Sequence, residues 1–470
     1  MDSPIRLLPL SHSHQPCCIS LSILDATVVR FAPTGAIWLF DDFPSDEKTF
    51  LHNLQTSLIQ TLDHFPQWAG QLQWVPFQPG RTHRPMITYN TASDPGVEWS
   101  VVRLAEPITS YAPTASERAS QGFWVGDAFT QNTFLPQTRL ALANLRDYEG
   151  LPSMTIQITL LEGGGYGIGI KLSHCLADAQ ALMVFMQQWA SACRILHGHT
   201  NSNSLPPKDK FNPIFNPPLL DTKASAEINT PTPDPTLITK ARNLPLHRYD
   251  CYTQIHFTGP ELDHLRQQAC TQLEPTQTHT PISRLDALLA HIWTLINQAR
   301  GYDQLKEKVY LNITLGARTR LNPPLPETFI GSPIFITHVS TSGEEICTST
   351  ISKTASQIRS TIQQFTPDNL GAMLYDAGLE VSPQRLWQGF MGQRHTLITS
   401  WLRLGVYGVD FDGRGRRPRY VHAVMQMMDG CVQVMDSGVE DGGVDLGVYL
   451  DREVLGRVLE GIRLFGNEGD

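Results

Sequence analysis

A histidine and an aspartate stand four positions apart in the stretch KLSHCLADAQ, at His174 and Asp178. The unperturbed pKa of imidazole, near 6.5, lets a histidine accept a proton from an alcohol or amine at neutral pH and then pass it on. His174 is therefore a candidate general base for acyl transfer. The spacing alone is weak evidence, because the chain has 16 histidines and a lone histidine is more often a packed core residue than a catalyst.

The segments around this pair predict a strand, a turn and a helix. Two apolar runs, TIQITLL (155–161) and YGIGIKL (166–172), are typical of strands, and the EGGG between them favours a hairpin. The run AQALMVFMQQWASACRIL is apolar on all sides, which predicts a buried helix whose first N–H groups Asp178 caps. His174 then lies on the turn between strand and helix, where open α/β sheets expose reactive side chains.

Strands and helices alternate in the second half of the chain as well. Strands are predicted at YTQIHFT, KVYLNITLGA, TLITSW, AVMQMMD and CVQVMD, and helices in PELDHLRQQACTQL, SRLDALLAHIWTLINQAR and REVLGRVLEGIRLF. Residues 199–244 are rich in Pro, Asn, Ser and Thr, which indicates a linker. The sequence therefore predicts a mixed α/β (α+β) protein with domains at 1–198 and 245–470 and a site at their interface.

The composition disfavours several classes of function. A net charge of −9 argues against a nucleic-acid-binding surface. The chain lacks a long apolar run, and its start lacks the pattern of a secretory signal, so we expect a cytoplasmic protein without membrane insertion. The eight cysteines form no CxxC pair, which indicates neither disulfides nor a metal site.

Two other kinds of chemistry are also disfavoured. Cys175 is a poor candidate nucleophile, because adjacent residues such as His174 rarely orient toward each other. The stretch GGGYGIG does not satisfy the Gly-x-Gly-x-x-Gly pattern and falls in the predicted hairpin, so no nucleotide cofactor is expected.

Four segments in order along the chain resemble the BAHD acyl-CoA-dependent acyltransferases, the HxxxD acyltransferases, and within them the fungal branch similar to trichothecene acetyltransferases. These segments are LSILDATV (21–28), SHCLADA (173–179), GARTRLNPPLPETFIGSPI (316–334) and TSWLRLGVYGVDFDGRGRRP (399–418). The chain departs from the family pattern at Ala179 and at Ser332, where glycine and asparagine are usual. The usual DFGWG has become DFDGRG, with an extra residue at about Asp412 and Arg414 in place of tryptophan.

The resemblance implies two domains related to chloramphenicol acetyltransferase, with a channel between them and His174 at its middle. It also implies that His174 is the general base and that Asp178 supports the turn by pairing with Arg318, or failing that with Arg320. Thr399 and Trp401 match a segment that can offer hydrogen bonds to a developing oxyanion. The motif at Asp410, Phe411, Gly413 and Gly415 is expected to support the fold.

The resemblance further implies an acyl-CoA co-substrate, most simply acetyl-CoA, no metal, and a small-molecule alcohol as acceptor. The basic run that includes Arg416 and Arg417 can meet the phosphates of CoA, although such a run is more often a solvated loop. We therefore expect a monomeric O-acyltransferase that esterifies a hydroxyl of a specialised metabolite. The alternatives are an N-acyl or condensation-type acyltransferase and a non-catalytic binding protein with the same fold.

Overall fold

The computed structural model describes residues 3–11, 15–43, 46–80, 82–198, 212–224, 251–271, 281–386 and 392–467. Sixteen strands lie within these ranges. They are β1 (Ile5–Leu7), β2 (Cys17–Ser20), β3 (Thr34–Phe40), β4 (Gln71–Trp74), β5 (Pro85–Tyr89), β6 (Val97–Pro107), β7 (Phe123–Val125), β8 (Met154–Glu162), β9 (Tyr166–Leu172), β10 (Cys251–Phe257), β11 (Lys308–Gly316), β12 (Ile334–Ser342), β13 (His395–Ser400), β14 (Tyr420–Ala423), β15 (Cys431–Asp436) and β16 (Val444–Leu450).

Eleven α-helices accompany these strands in the described ranges. They are α1 (Ile23–Thr27), α2 (Glu47–Leu62), α3 (Ala115–Gln121), α4 (Ala179–Leu196), α5 (Pro217–Asp221), α6 (Gly259–Thr271), α7 (Arg284–Ala299), α8 (Gly343–Thr348), α9 (Ile351–Gln363), α10 (Pro367–Leu379) and α11 (Arg452–Asn467). None of the helices in the described part of the chain combines the length and the hydropathy that a membrane span needs.

Two large sheets organise the fold. The first has the order β1-β6-β8-β9-β3-β14 and the second the order β12-β11-β13-β15-β16-β10-β7, while β2, β5 and β4 form a small third sheet. Both large sheets are mixed, since β6–β8 in the first and β11–β13–β15 in the second are parallel pairs among antiparallel ones. Helix α4 contacts β3 and α2 on the first sheet, and α9 contacts β12 and α7 on the second. The predicted mixed α/β class is confirmed.

Each large sheet takes one strand from the other half of the chain. Strand β14, close to the carboxyl end, pairs with β3 in the first sheet, and β7 pairs with β10 in the second. The domain boundaries 1–198 and 245–470 remain a prediction, and this exchange crosses both of them. Within the predicted linker the structure describes residues 212–224, where Leu220 of α5 is fully buried and Ile214 bridges to Phe329. The rest of the linker lies outside the described residues.

The elements predicted around His174 are found in the structure. The hairpin β8–β9 pairs Leu160 with Tyr166, and α4 begins at Ala179 with Asp178 as its N-cap. The strand predicted at AVMQMMD (423–429) is wrong, because β14 ends at Ala423 and the chain leaves the sheet there. The partner of β14 is β3, which begins at Thr34. The N–H of Val424 still donates to the carbonyl of Gly35, and beyond Val424 the first sheet offers no further pairing.

Candidate active site

His174 lies on the turn that joins β9 to α4. The turn is a short 3-10 segment, His174–Leu176, and its backbone is fixed from outside by the Thr34 hydroxyl, which donates to the carbonyl of Ala177 over 2.6 Å. Phe31 packs edge-on against the imidazole with ring centroids 5.7 Å apart. The histidine is therefore held on a tight, partly buried turn by contacts with the start of β3.

Asp178 supports this turn from the helix side. Its Oδ1 accepts from the backbone N–H of Ala181 over 3.0 Å, the N-cap bond of α4. The guanidinium of Arg318 binds both carboxylate oxygens, with Nη2 2.9 Å from Oδ1, and the same Nη2 donates to the carbonyl of Phe329. Arg320 instead approaches the carbonyl of Ile362 over 3.4 Å. Both carboxylate oxygens are thus occupied by groups other than the imidazole.

The environment of His174 keeps its imidazole neutral. Burial lowers the pKa of His174 below its usual range, and this outweighs a hydrogen bond to its own backbone carbonyl and the charge of Asp178, which both raise the pKa. The Nδ1 atom lies 2.9 Å from the Oγ of Ser332. A neutral imidazole whose Nδ1 is engaged can accept a proton at Nε2.

The contact of Ser332 with His174 was missed by sequence reasoning. Ser332 was noticed only as a departure from an asparagine in the related family, and it lies 158 positions from His174. The backbone N–H of Ser332 donates to the buried carboxylate of Asp25 over 2.7 Å. Burial raises the pKa of Asp25 to about 7, although hydrogen bonds from Ser22 and Ser332 act to lower it. The capping pattern Ser22-x-x-Asp25 was the signal in the sequence that could have pointed to Asp25.

A cavity that is open to solvent lies in front of His174. The described residues that line it come from both large sheets and from the segments around them. They are Phe31, Ala32, Pro33, Thr34, His174, Asp178, Ala179, Gln180, Thr314, Gly316, Arg318, Ile334, Ile336, Leu397, Thr399, Ser400, Trp401, Leu404, Val424, Met425 and Gln426. Four of the predicted site residues besides His174 therefore line one space: Asp178, Arg318, Thr399 and Trp401.

The walls of this cavity are mainly apolar. Among the described lining residues the only acid and the only strong base are Asp178 and Arg318, and these neutralise each other. No uncompensated charge of the described lining is available to hold a charged group of a substrate. The cavity therefore favours neutral, largely apolar molecules.

Thr399 and Trp401 reach the cavity from the end of β13. Thr399 is half-buried and lies on β13, which pairs with β15 in parallel, while Trp401 is buried and follows directly after the strand. The backbone N–H of Trp401 donates to the carbonyl of Val434 over 2.8 Å, which fixes the segment against β15. Their side chains face the same space as His174.

The DFDGRG segment lies elsewhere and supports α4. The Asp410 carboxylate accepts hydrogen bonds from the backbone N–H groups of Asp412, Gly413 and Gly415, and both glycines have the positive φ that favours glycine. Phe411 is buried, and its ring packs edge-on against Trp189 of α4 with centroids 5.0 Å apart. The carbonyl of Asp410 also accepts from Arg194 of α4. The loop thus braces the helix that begins at Asp178.

Arg416 and Arg417 line a second pocket together with Asp42 and Asp412. None of the described residues lines both this pocket and the His174 cavity. Arg416 is half-buried and lies 3.3 Å from the carboxylate of Asp412. Arg417 is exposed and pairs with Glu440 over 2.5 Å. Exposed ion pairs of this kind contribute about 0–1 kcal/mol, so Arg417 can exchange its partner at little cost.

The chain is similar to known acyltransferases. Residues 126–460 match the family described as the Transferase family. The chain is 26% identical over 458 residues to acyltransferase AFT15-1 of Alternaria alternata, with 87% of this chain and 85% of the relative covered. It is 25% identical over 416 residues to acyltransferase abl6 of Leptosphaeria maculans, with 82% and 80% covered.

A solved structure with the same fold is that of TRI101 from F. sporotrichioides, complexed with coenzyme A and T-2. The match has a TM-score of 0.73 and 19% identity, and it covers 94% of this chain and 97% of the other. At that identity the likeness is one of fold. The family match and the fungal acyltransferase relatives identify an enzyme that transfers acyl groups. The chain therefore belongs to the transferase family of BAHD acyltransferases.

Proposed function

We propose that this acyltransferase moves an acetyl group from acetyl-CoA to a hydroxyl of a neutral specialised metabolite, with His174 as general base. The observation that carries the proposal is the position of His174 on the wall of a largely apolar cavity, with a neutral imidazole whose Nδ1 is engaged. The related fold of TRI101, solved with coenzyme A and T-2, supports the choice of CoA as carrier and of a small-molecule acceptor.

The proposed reaction needs no covalent intermediate on the enzyme. Nε2 of His174 takes the proton of the acceptor hydroxyl while its oxygen attacks the thioester carbonyl. The tetrahedral oxyanion then collapses, the C–S bond breaks, and the imidazolium returns the proton to the departing CoA thiolate. The products are the acetate ester and free CoA.

Thr399 and Trp401 are proposed to stabilise the oxyanion of that intermediate. Both side chains line the same cavity as His174, and a hydroxyl or an indole N–H can donate to a negatively charged oxygen. One such donor is typically worth about 3–4 kcal/mol of transition-state stabilisation. Asp178, by contrast, is proposed to act through the turn, because Arg318 and the N-cap bond already engage its carboxylate.

The lining of the cavity also bears on the acyl group. The charge of Arg318 is neutralised by Asp178, and its Nη2 also donates to the carbonyl of Phe329, so Arg318 offers no net charge to a second carboxylate. An acyl group that carries its own carboxylate, such as malonyl, would therefore enter the cavity without a counter-charge, which is costly. We infer that neutral acyl groups are preferred.

Arg416 and Arg417 are proposed to meet the phosphates of CoA. Their charge and the exposure of Arg417 support this role, although they lie in a pocket distinct from the cavity. The monomeric state and the cytoplasmic location stay predictions from the sequence.

The proposal is tested by incubating the purified protein with acetyl-CoA and a panel of hydroxylated terpenoids, alkaloids and polyketides. Release of free CoA thiol and the mass of the product are measured, with malonyl-CoA and a matched primary-amine acceptor in parallel. We expect ester formation from acetyl-CoA and little turnover of malonyl-CoA. Preferred transfer to the amine, or preferred use of malonyl-CoA, would contradict the proposed specificity.

A further inference from the structure

The dipeptide Gly331-Ser332 from the second half of the chain contacts the His174 turn and the amino-terminal segment at the same time. We propose that Ser332 is the positioning residue of His174, and that Asp25 in turn holds Ser332 in place. This inference rests on the proposed function, since it concerns the tautomer in which His174 acts as a base.

The first step is the contact between Ser332 and the imidazole. The Oγ of Ser332 lies 2.9 Å from Nδ1 of His174. A hydroxyl can donate or accept, so this contact alone does not fix the proton. In the proposed reaction Nε2 takes the proton of the acceptor hydroxyl, so the lone pair must be on Nε2 and the proton on Nδ1. In that tautomer Nδ1 donates to the Oγ of Ser332.

The second step is the fixation of Ser332. Its backbone N–H donates to Oδ1 of Asp25 over 2.7 Å, and Oδ2 of Asp25 accepts from the backbone N–H and the hydroxyl of Ser22 over 3.0 and 2.6 Å. Ser332 and Ser22 are fully buried, and Asp25 is 1% exposed. Three hydrogen bonds in a dry environment therefore hold the carboxylate, and through it the main chain of Ser332, in one position.

The third step concerns the neighbour of Ser332. The carbonyl of Gly331 accepts from the backbone N–H of Asp178 over 3.0 Å, so the dipeptide is tied to both ends of the His-x-x-x-Asp turn. Gly331 has a φ of 152°, and a Cβ there would lie 3.0 Å from the ring of Phe329 and 3.4 Å from Oδ1 of Asp25. Glycine thus permits the close approach that brings the Ser332 hydroxyl to the imidazole.

Other titratable groups face this arrangement from the packed elements. Asp178 and Cys175 stand on the His174 turn itself, and the charge of Asp221 from α5 acts on Asp25. Asp178 is bound by Arg318, and burial raises the pKa of Cys175 far above neutrality. In the described part of the chain the side-chain hydrogen bond to the imidazole comes from Ser332 and not from any of these titratable groups.

The test compares Ser332→Ala with wild type in steady-state kinetics with acetyl-CoA. Without the hydroxyl the imidazole loses the side-chain contact of Nδ1, and misplacement of a reacting group by about 1 Å can cost about 100-fold. We expect kcat to fall by that order while the KM for acetyl-CoA is unchanged. The acid limb of the pH profile should also move to lower pH, because an acceptor at Nδ1 stabilises the imidazolium and its loss lowers the pKa of His174.

Two variants separate positioning from a general loss of stability. Ser57→Ala removes another buried hydroxyl, which bonds to the carbonyl of Leu54, and should leave kcat and the acid limb as in wild type. Ser332→Asn supplies a side-chain carbonyl that can accept from Nδ1, and it should recover much of the activity lost in Ser332→Ala. Wild-type kcat and an unmoved acid limb in Ser332→Ala would overturn the inference.

A direct measurement covers the case in which Ser332→Ala fails to fold. In wild-type protein labelled with ¹⁵N-histidine, the His174 resonances are assigned by their absence in His174→Gln, and the ring nitrogen shifts report the tautomer. We expect the Nδ1–H form above the pKa of His174, and the Nε2–H form would overturn the inference. Failure of the proposed function would be recognised separately, as a wild-type protein that does not turn over acetyl-CoA.

Discussion

The buried pair of Asp178 and Arg318 gives the sharpest stability prediction. Arg318→Met leaves the carboxylate of Asp178 in a site where it is 7% exposed, with the N-cap bond but without its counter-ion. Asp178→Asn keeps an oxygen for the cap but leaves the guanidinium, 5% exposed, without a negative partner. Breaking one partner of a buried pair costs about 3–5 kcal/mol, because the remaining charge stays desolvated.

The assay is equilibrium urea unfolding, with the change in unfolding free energy taken from the midpoint shift at unchanged slope. Each single variant should lose about 3–5 kcal/mol, and the double variant should lose less than the sum of the two, because it removes both charges together. Arg284→Met is the matched control, since Arg284 makes a similar pair with Asp263 in an exposed setting. That exposed pair should contribute less than about 1 kcal/mol.

Two outcomes would refute this reasoning about Asp178. If Arg318→Met costs no more than Arg284→Met, the pair does not hold the turn in the way the geometry indicates. If Asp178→Asn is as stable as wild type but inactive, the carboxylate takes part in the chemistry directly, and its assignment as a structural support is wrong.

Two further predictions concern charge. Arg417→Ala should raise the KM for acetyl-CoA about tenfold with kcat unchanged, since a hydrogen bond to a charged group is worth about 1.5–3 kcal/mol. An unchanged KM would show that Arg417 does not bind CoA and only pairs with Glu440. The pKa of Asp25 is raised to about 7 in the folded state, so between pH 4 and 7 the folded protein retains a proton that the unfolded chain releases. Asp25 therefore makes the free energy of unfolding fall as pH rises, by up to about 1.4 kcal/mol per unit. Urea unfolding at pH 5 and 7 should show that Asp25→Asn lacks this contribution, and the same pH slope in both proteins would contradict it.

Local signals in the sequence were sufficient for the elements next to His174. The glycines between β8 and β9 favour a tight hairpin, and Asp178 caps α4 through a bond that spans only three residues. The Ser283 capping box of α7 was likewise readable from the chain. In each case the interaction that decides the conformation lies within a few residues of the element itself.

Features that depend on distant pairing could not be predicted in this way. The run AVMQMMD has no polar alternation, so nothing local indicates that β14 ends at Ala423, which pairs with Ala36 near the start of β3. The exchange of β7 and β14 between the sheets is likewise set by tertiary pairing. Ser332 meets His174 through contacts that are distant in sequence, since its backbone N–H donates to Asp25 and its Oγ lies 2.9 Å from Nδ1 of His174.

The most direct test of the central claim is the turnover of acetyl-CoA by His174→Ala. Free CoA is measured with a hydroxylated acceptor that wild type accepts, and His52→Ala, which removes an exposed histidine on α2, is the matched control. General-base catalysis typically contributes about 10²- to 10⁴-fold, so we expect a loss of that size in His174→Ala and none in the control. Undiminished turnover in a folded His174→Ala protein would show that His174 is not the general base.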